Sequence, residues 1–316
     1  MAYVVRRSLL IIPTLLGITL LTFALATFAP GNPADTLIRR MESRPPLPGE
    51  LEIVEKELGL DRPFLAQYAT WVGNAARGEL GTSFSTRAPV SKELAKRIPY
   101  TLQLAIPAAL LALIIALPIG TICALRRNKP VDQVVRVVSL AGASVPSFWL
   151  ALLLILVFAV HLSLVPVAGR GGVLTFVLPV LALALEPAAV LARFTRSNML
   201  ETLGEDYIRT ARSKGAKESV VVARHVLRNA LIPAVTYFGS RLAGLVTGAV
   251  IIETIFVWPG VGRLAVDAVG ERDYPMIQGI VLFVGVTFAV FNLLVDLSYG
   301  LIDPRIRVGR RQGRVG

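Results

Sequence analysis

Residues 98–125 read IPYTLQLAIPAALLALIIALPIGTICAL, a run that contains no Asp, Glu, Lys, Arg or His. A helix of about 20 apolar residues crosses the hydrocarbon core of a bilayer, so this run is long enough for one crossing. A chain inside hydrocarbon must satisfy its backbone hydrogen bonds internally, and a continuous apolar run does so as a helix. Residues 98–125 therefore indicate an α-helical membrane protein rather than a barrel of alternating strands.

The rest of the sequence repeats this pattern. Of the 316 residues, 54% are hydrophobic and 17% are charged, against about 45–50% and about 25% in soluble domains. The first apolar run also resembles a signal peptide with a cleavage site at Ala24-Leu25-Ala26, but its length favours a retained helix. We predict one all-α integral membrane domain over 1–316 with six spans. The spans are 8–30, 99–125, 133–162, 173–193, 231–252 and 276–299; loops cover 31–98, 194–229 and 253–275, and a tail covers 300–316.

Basic residues set the predicted orientation. Lys and Arg concentrate in 126–136, in 193–228 and in the tail, and short loops rich in these residues stay in the cytoplasm. Both termini are therefore predicted to be cytoplasmic, and the long loop 31–98 to be extracytoplasmic. The net charge of +12 is then explained by the basic cytoplasmic loops and by their contact with membrane lipid. No nucleic-acid partner is indicated.

The extracytoplasmic loop contains signals for short helices. Residues 51–58 have helical apolar spacing that ends at Gly59, and Pro63 suits the first turn of a second helix. We predict a small folded cap over 31–98. A lid over helix ends and a docking surface for an extracytoplasmic partner both fit this pattern.

The sequence shows no catalytic or metal-binding motif. Two His and one Cys provide no metal-ligand cluster. No G-x-x-x-x-G-K-[ST] loop is present to hold nucleotide phosphates, and no H-E-x-x-H motif occurs. We expect a protein that is not an enzyme, has no catalytic residues and binds no cofactor or metal itself.

The loop 194–229 has an ordered distribution of charge. Acidic residues come first, at Glu205 and Asp206, basic residues follow, and Gly215 ends the segment. This order suits the dipole of a short helix. A solvated amphipathic connector and a helix that docks on another protein both fit it.

The segment Ser144 to Trp149 contains Pro146, which predicts a kink or a break within the third span. Non-helical backbone at membrane depth requires a lining of protein or water. Ser144, Pro146 and Phe148 are therefore candidate residues of a translocation pathway, although a packing kink fits equally well.

Ionisable residues inside the spans are a second set of candidates, because a charge at the membrane centre costs at least ~2.5–3.5 kcal/mol. Arg241 either pairs with Glu186 or lines a pathway. Glu253, at the end of the fifth span, either gates the pathway or anchors the loop that follows. Ser240, Gly244 and Gly248 recur at four-residue steps, a pattern that permits close packing of helices.

Residues 206–215 read DYIRTARSKG. In this stretch the chain resembles the permease subunits of ABC importers, and specifically the dipeptide, oligopeptide and nickel branch. Their loose E-A-A, G and I-x-L-P motif corresponds to Arg209-Thr210-Ala211, Gly215 and Ala230 to Pro233, with Arg in place of Glu and Ala in place of Ile. Further matching stretches are 29–33, where Asn32 replaces the usual Asp, 58–63, 253–262, 272–275 and 301–307.

The resemblance implies the type I importer permease fold in a bacterial or archaeal cytoplasmic membrane. It implies a second homologous permease, two cytoplasmic ATPases that hold ATP and Mg²⁺, and an extracytoplasmic substrate-binding protein. Thr210, Ala211 and Gly215 would set the close packing of a coupling helix. Glu205, Asp206, Arg209 and Lys214 would make rim contacts with the ATPase. Peptides, glutathione and nickel complexes all remain open as substrates, and an ATP-independent secondary transporter or channel is the alternative.

Overall fold

The computed structural model describes residues 2–28, 32–42, 44–169 and 171–302, and this part of the chain contains helices but no strand. Residues 29–31 of the family-like stretch, and residues 303–316 of the predicted tail, lie outside the described residues. In chain order the helices are α1 (Ala2–Thr27), α2 (Pro33–Glu42), α3 (Glu50–Leu58), α4 (Phe64–Ala75), α5 (Val90–Leu125), α6 (Pro130–Ser144), α7 (Ser147–Leu154), α8 (Leu174–Gly204), α9 (Asp206–Ser213), α10 (Glu218–Val220), α11 (Leu227–Ile255), α12 (Val261–Gly270) and α13 (Tyr274–Ile302). Two π-helical segments, Ile155–His161 and Val221–Val226, follow α7 and α10.

Three helices are long and apolar enough to cross a membrane: α5, α8 and the part of α13 from Tyr274 to Val295. Two bent pairs meet the same test together, so the described residues hold three to five candidate spans. The apolar helix Ile11–Thr27 is shorter. The all-α membrane fold is thus confirmed, whereas six spans and cytoplasmic termini stay predictions.

Helix α8 extends past the predicted end of its span at residue 193 and continues to Gly204. No glycine or proline interrupts residues 194–203, so nothing in the sequence stops the helix earlier. The first part of the predicted loop 194–229 is therefore a helical continuation of the candidate span α8.

The chain divides into two compact units, called here the first unit (1–101 and 259–289) and the second unit (102–258 and 290–316). The core of the first unit joins the start of α5 to α12 and α13 through Val90, Leu94, Val261, Leu264 and Met276. In the second unit α8 packs against α6, α7 and α11. A Cβ at Gly120 would lie 2.6 Å from the carbonyl oxygen of Ala192, so the close approach of α5 to α8 requires glycine.

Candidate functional site

The segment 205–215 forms the short helix that its charge order predicts. Glu205 has extended backbone (ψ 145°) and directly precedes α9, whose first turn holds Asp206 and whose last turn holds Arg212. Gly215 follows with φ +79°, a left-handed conformation that side chains other than glycine rarely adopt. The two ends of α9 are therefore fixed by local sequence.

One apolar side chain attaches α9 to the rest of the second unit. Ile208 is fully buried in a cluster with Met199 of α8, Val221 and Val226 of the second π-helical segment, and Ala230 of α11. Burying an isoleucine side chain contributes about 1.5–3 kcal/mol. Ile208 was not predicted as a site residue, although it is the only large aliphatic residue in 206–213.

The remaining side chains of α9 and its flanks lie mostly at the surface of the chain. Ala211 is half-buried against the Ile208 cluster. The other predicted coupling residues, Glu205, Asp206, Arg209, Thr210, Lys214 and Gly215, are exposed. Their described contacts are local: Arg209 lies 3.3 Å from the Asp206 carboxylate, and the Thr210 hydroxyl donates to the carbonyl of Asp206. Helix α9 is thus held by one apolar side and presents a charged surface.

Two polar contacts fasten α9 to the elements that follow it. Arg212 donates two hydrogen bonds to Glu218, at 3.0 and 2.7 Å, and this contact lowers the pKa of Glu218 from its ordinary value. The Asn229 amide donates to the hydroxyl of Tyr207 over 2.9 Å. Movement of α9 is therefore linked to α10 and α11, which adjoin it in sequence.

The predicted break at Pro146 is present. Helix α6 ends at Ser144, Val145 and Pro146 have extended backbone, and the helices on the two sides form an angle of 105°. Ser144, Pro146 and Phe148 are exposed at the surface of this chain. Helix α7, which begins just after the break, packs against α8 and α11. A role for these residues in a pathway stays a prediction.

Arg241 does not form an ion pair with Glu186 among the described residues. Instead its guanidinium lies 5.5 Å from the ring centroid of Tyr237, and that ring stacks on Phe194 with centroids 4.6 Å apart. Arg241 and Glu186 are both exposed at the surface of this chain. A cation–π contact of this kind contributes about 0.5–2 kcal/mol. Because Arg241 is nevertheless exposed, a role in lining a pathway stays a prediction.

Glu253 and the strip of small residues differ in their surroundings. Glu253 is fully buried, and its backbone carbonyl accepts a hydrogen bond of 2.7 Å from the amide of Trp258, which anchors the turn after α11. Ser240, Gly244 and Gly248 lie on an exposed part of α11. A Cβ at Gly244 or Gly248 would meet no described atom within 4 Å, so neither glycine packs against another described helix.

A buried ion pair between α6 and α8, the helix that precedes α9 in the chain, was not predicted. The Asp132 carboxylate, in the first turn of α6, accepts hydrogen bonds of 2.6 and 2.8 Å from Arg196 near the end of α8. It also accepts one of 2.9 Å from the amide of Asn128. Asp132 is fully buried. The pair fixes the start of α6 against the helical extension that leads to α9.

Comparison with protein families places most of the chain. A family described as the inner membrane component of binding-protein-dependent transport systems matches residues 116–308. The N-terminal part of the membrane components of binding-protein-dependent transport systems matches residues 1–105.

Individual relatives match over almost the full length. The chain is 42% identical to the di/tripeptide transport system permease protein DppB of Pseudomonas aeruginosa, over 97% of this chain and 99% of the relative. It is 40% identical to the oligopeptide transport system permease protein AppB of Bacillus subtilis, over 96% and 99%. It is 42% identical to the glutathione transport system permease protein GsiC of Escherichia coli, over 96% and 98%.

A solved structure shares the fold. The crystal structure of an amino acid ABC transporter with histidines matches with a TM-score of 0.54 and 18% sequence identity, over 66% of this chain and 92% of that chain. At this identity the match bears on the fold alone, and it agrees with the helical membrane architecture described above.

Proposed function

Because the chain belongs to the family of inner membrane components of binding-protein-dependent transport systems, we propose that it forms half of the pathway of an ATP-driven importer for peptides. The chain is a permease subunit of an ABC importer. In the proposal it borrows its energy from ATP hydrolysed elsewhere and transmits it through residues 205–215. An ATP-independent channel or secondary transporter is not favoured.

The observation that carries the coupling role is the construction of α9. Ile208 fixes one side of this helix in an apolar cluster, whereas Glu205, Asp206, Arg209 and Lys214 present charge at the surface. A connector needs no such anchor, but a helix that transmits force must be held firmly on one side and be accessible on the other. A partner surface with acidic and basic groups would complement these side chains.

The proposed partners follow from this division of labour. Two cytoplasmic ATPases hold ATP and Mg²⁺ and receive α9 in a surface cleft. An extracytoplasmic binding protein delivers the substrate, and a second homologous permease completes the pathway. The exposed strip of Ser240, Gly244 and Gly248 suits contact with that second permease, because small residues allow two helices to approach closely.

Peptides are the proposed substrates because relatives of this chain, at about 40% identity over nearly the full length, are named as di/tripeptide and oligopeptide permeases. Another relative is named as a glutathione permease, and glutathione is itself a small peptide. The shared class is thus a short, flexible chain with charged ends and amide groups.

Two experiments test the proposal. The first is co-purification: the chain is expected to purify with two ATPase subunits and a second permease. ATP-independent peptide uptake by the isolated chain at the full rate would overturn the proposal.

The second experiment replaces Gly215 with Val in the complete transporter. We expect the ATPase activity stimulated by peptide-loaded binding protein to be lost, because valine strains the φ of +79° and reshapes the end of α9. Gly49→Val is the matched control, since Gly49 has φ +84° and open space but lies far along the chain, before α3. Equal loss of activity in both variants would contradict a specific role for Gly215.

A further inference from the structure

The first unit contains a large chamber that is partly open to solvent. Its volume is about 1050 Å³, and its walls come from the end of α1, from α2, α3 and α4, from residues 81–87, and from the start of α13. Small-molecule sites typically have volumes of about 300–1,000 Å³. The chamber is therefore large enough for a short peptide, and it lies apart in sequence from residues 205–215.

Charged side chains of both signs line this chamber. Glu55, Lys56, Glu57 and Arg62 come from the end of α3 and the turn that follows. Glu55 accepts a hydrogen bond of 2.6 Å from the amide of Asn32. Arg62 has no ion pair within the described residues. A zwitterion would find an opposite charge for each of its ends here, whereas a ligand with a single charge would use only one of the two signs.

Uncharged groups in the chamber suit a peptide backbone. Phe23, Trp71 and Phe84 provide aromatic surface, and Asn74 and Gln278 line the same space. The side-chain amides of Asn74 and Gln278 make no hydrogen bond in the part of the chain that the structure describes. A carboxamide has both donors and an acceptor, as a peptide group does, so these two side chains match amide groups of any peptide regardless of its sequence.

Hydrogen bonds hold the walls in place. The Asp273 carboxylate accepts bonds from the Ser83 hydroxyl at 2.5 Å and from the amides of Phe84 and Ser85 at 3.1 Å. The Gln67 amide donates to the carbonyls of Leu60 and Arg62 at 3.0 and 2.8 Å. A chamber that is already formed costs a ligand less ordering free energy than one that must form on binding.

We propose that this chamber binds short zwitterionic peptides on their way to the pathway. The peptide ammonium group would face Glu57, its carboxylate would face Arg62, and its amides would face Asn74 and Gln278. The inference rests on the proposed peptide import and adds to it a substrate site within the permease itself. Lipid acyl chains fit the chamber less well, because charged and amide groups line it.

Cross-linking in the complete transporter tests the site directly. Asn74 is replaced by a photo-cross-linking amino acid in the complete transporter, which is embedded in nanodiscs. The binding protein is present and ATP is left out. Radiolabelled alanyl-alanine is the probe. We expect a labelled adduct that unlabelled alanyl-alanine prevents and that N-acetyl-alanyl-alanine amide, which has no charged ends, does not prevent. Leu65 is the matched control position, because it lies on the same helix, is 69% exposed and does not line the chamber.

The other outcomes are decisive as well. Equal labelling at positions 74 and 65 would overturn the site, and so would an adduct at position 74 with the binding protein or with lipid in place of the dipeptide. If the wild-type transporter shows no ATP-dependent uptake of alanyl-alanine or other short peptides, the proposed function fails. If uptake is normal and position 74 is not labelled, only the chamber proposal fails.

Uptake assays give a second, independent test. We expect Arg62→Gln to slow uptake of alanyl-alanine about fivefold, the order expected for one charge-assisted hydrogen bond at a solvated site. Uptake of C-terminally amidated alanyl-alanine should be unchanged relative to wild type, because this peptide has no carboxylate for Arg62. Arg77→Gln is the control, since Arg77 is exposed and lies outside the chamber lining. Equal slowing of both peptides by Arg62→Gln would contradict the assignment.

Discussion

Each unit of the chain contains a buried aspartate, but the two carboxylates are stabilised differently. In the first unit Asp273 is 1% exposed and accepts hydrogen bonds from neutral groups, the Ser83 hydroxyl and the backbone amides of Phe84, Ser85 and Met276. In the second unit Asp132 is fully buried and accepts two hydrogen bonds from the Arg196 guanidinium.

The difference shows what each contact can do. The donors to Asp273 belong to one loop and to the start of α13. This carboxylate therefore fixes the conformation of the loop that forms part of the chamber wall. Asp132 and Arg196 lie on separate helices, 64 residues apart in sequence. Their pair joins two rigid elements, and removing one partner leaves a charge buried without compensation.

The largest effect is expected for Asp132→Ala. Leaving the 18% exposed Arg196 side chain without its carboxylate should lower the free energy of unfolding by about 3–5 kcal/mol. Cys123, the only cysteine in the sequence, is 1% exposed and reports opening of the second unit through its reaction with a thiol reagent. We expect the labelling rate of Cys123 to rise by roughly a hundredfold or more.

The control is the double variant Asp132→Ala, Arg196→Met, which also removes the uncompensated charge. This variant should label Cys123 more slowly than Asp132→Ala alone, because an apolar side chain tolerates burial better than an unpaired guanidinium. Equal rates would show that the ion pair does not account for the stability of this region.

A smaller effect is expected for Asp273→Ala, about 2–3 kcal/mol, because the groups left behind are neutral donors. Arg87 is already exposed, but the loop 82–89 should lose its fixed conformation, and the rate of trypsin cleavage after Arg87 measures this change. Asp273→Asn should have a milder effect, since its amide oxygen still accepts hydrogen bonds and its amide group can donate to the Ser83 hydroxyl.

The same Asp273 variants sharpen the comparison between the units. We expect Cys123 labelling to change less than twofold in Asp273→Ala, because local openings of separate regions have separate free energies. If Asp273→Ala and Asp132→Ala accelerated Cys123 labelling equally, the two aspartates would belong to one cooperative element, and the contrast drawn between them would be wrong.

The smallest effect is expected for Arg212→Ala. This residue pairs with Glu218 at the surface, and exposed ion pairs contribute about 0–1 kcal/mol. Because Arg212 lowers the pKa of Glu218, the contribution is present at neutral pH and is lost as the pH falls through that lowered pKa. The midpoint of thermal unfolding at pH 7 should differ little from that of the wild type. A large decrease would show that this exposed ion pair contributes as much to stability as the buried pair of Asp132 and Arg196.

Sequence patterns predicted the elements whose causes are local. The charge-free run 98–125 lies within helix α5, Pro146 marks the break between α6 and α7, and α9 occupies 206–213 where the charge order indicates a helix. Each of these follows from neighbouring residues. Of the two alternatives for Arg241, the ion pair with Glu186 is not formed among the described residues, where Arg241 lies over Tyr237 on its own helix. A pathway role for Arg241 stays a prediction.

The sequence by itself therefore determined that this protein is a helical membrane permease and located helix α9, for which we propose a coupling role. Only the tertiary structure decided that Ile208 anchors that helix, that Asp132 meets Arg196, and that Asp273 meets a loop 190 residues earlier. It also brought the separate elements of the first unit together around a chamber. Periodicity and helix-stop signals act over a few residues, whereas burial and ion pairing depend on which distant helices pack together, and one sequence alone does not specify those partners.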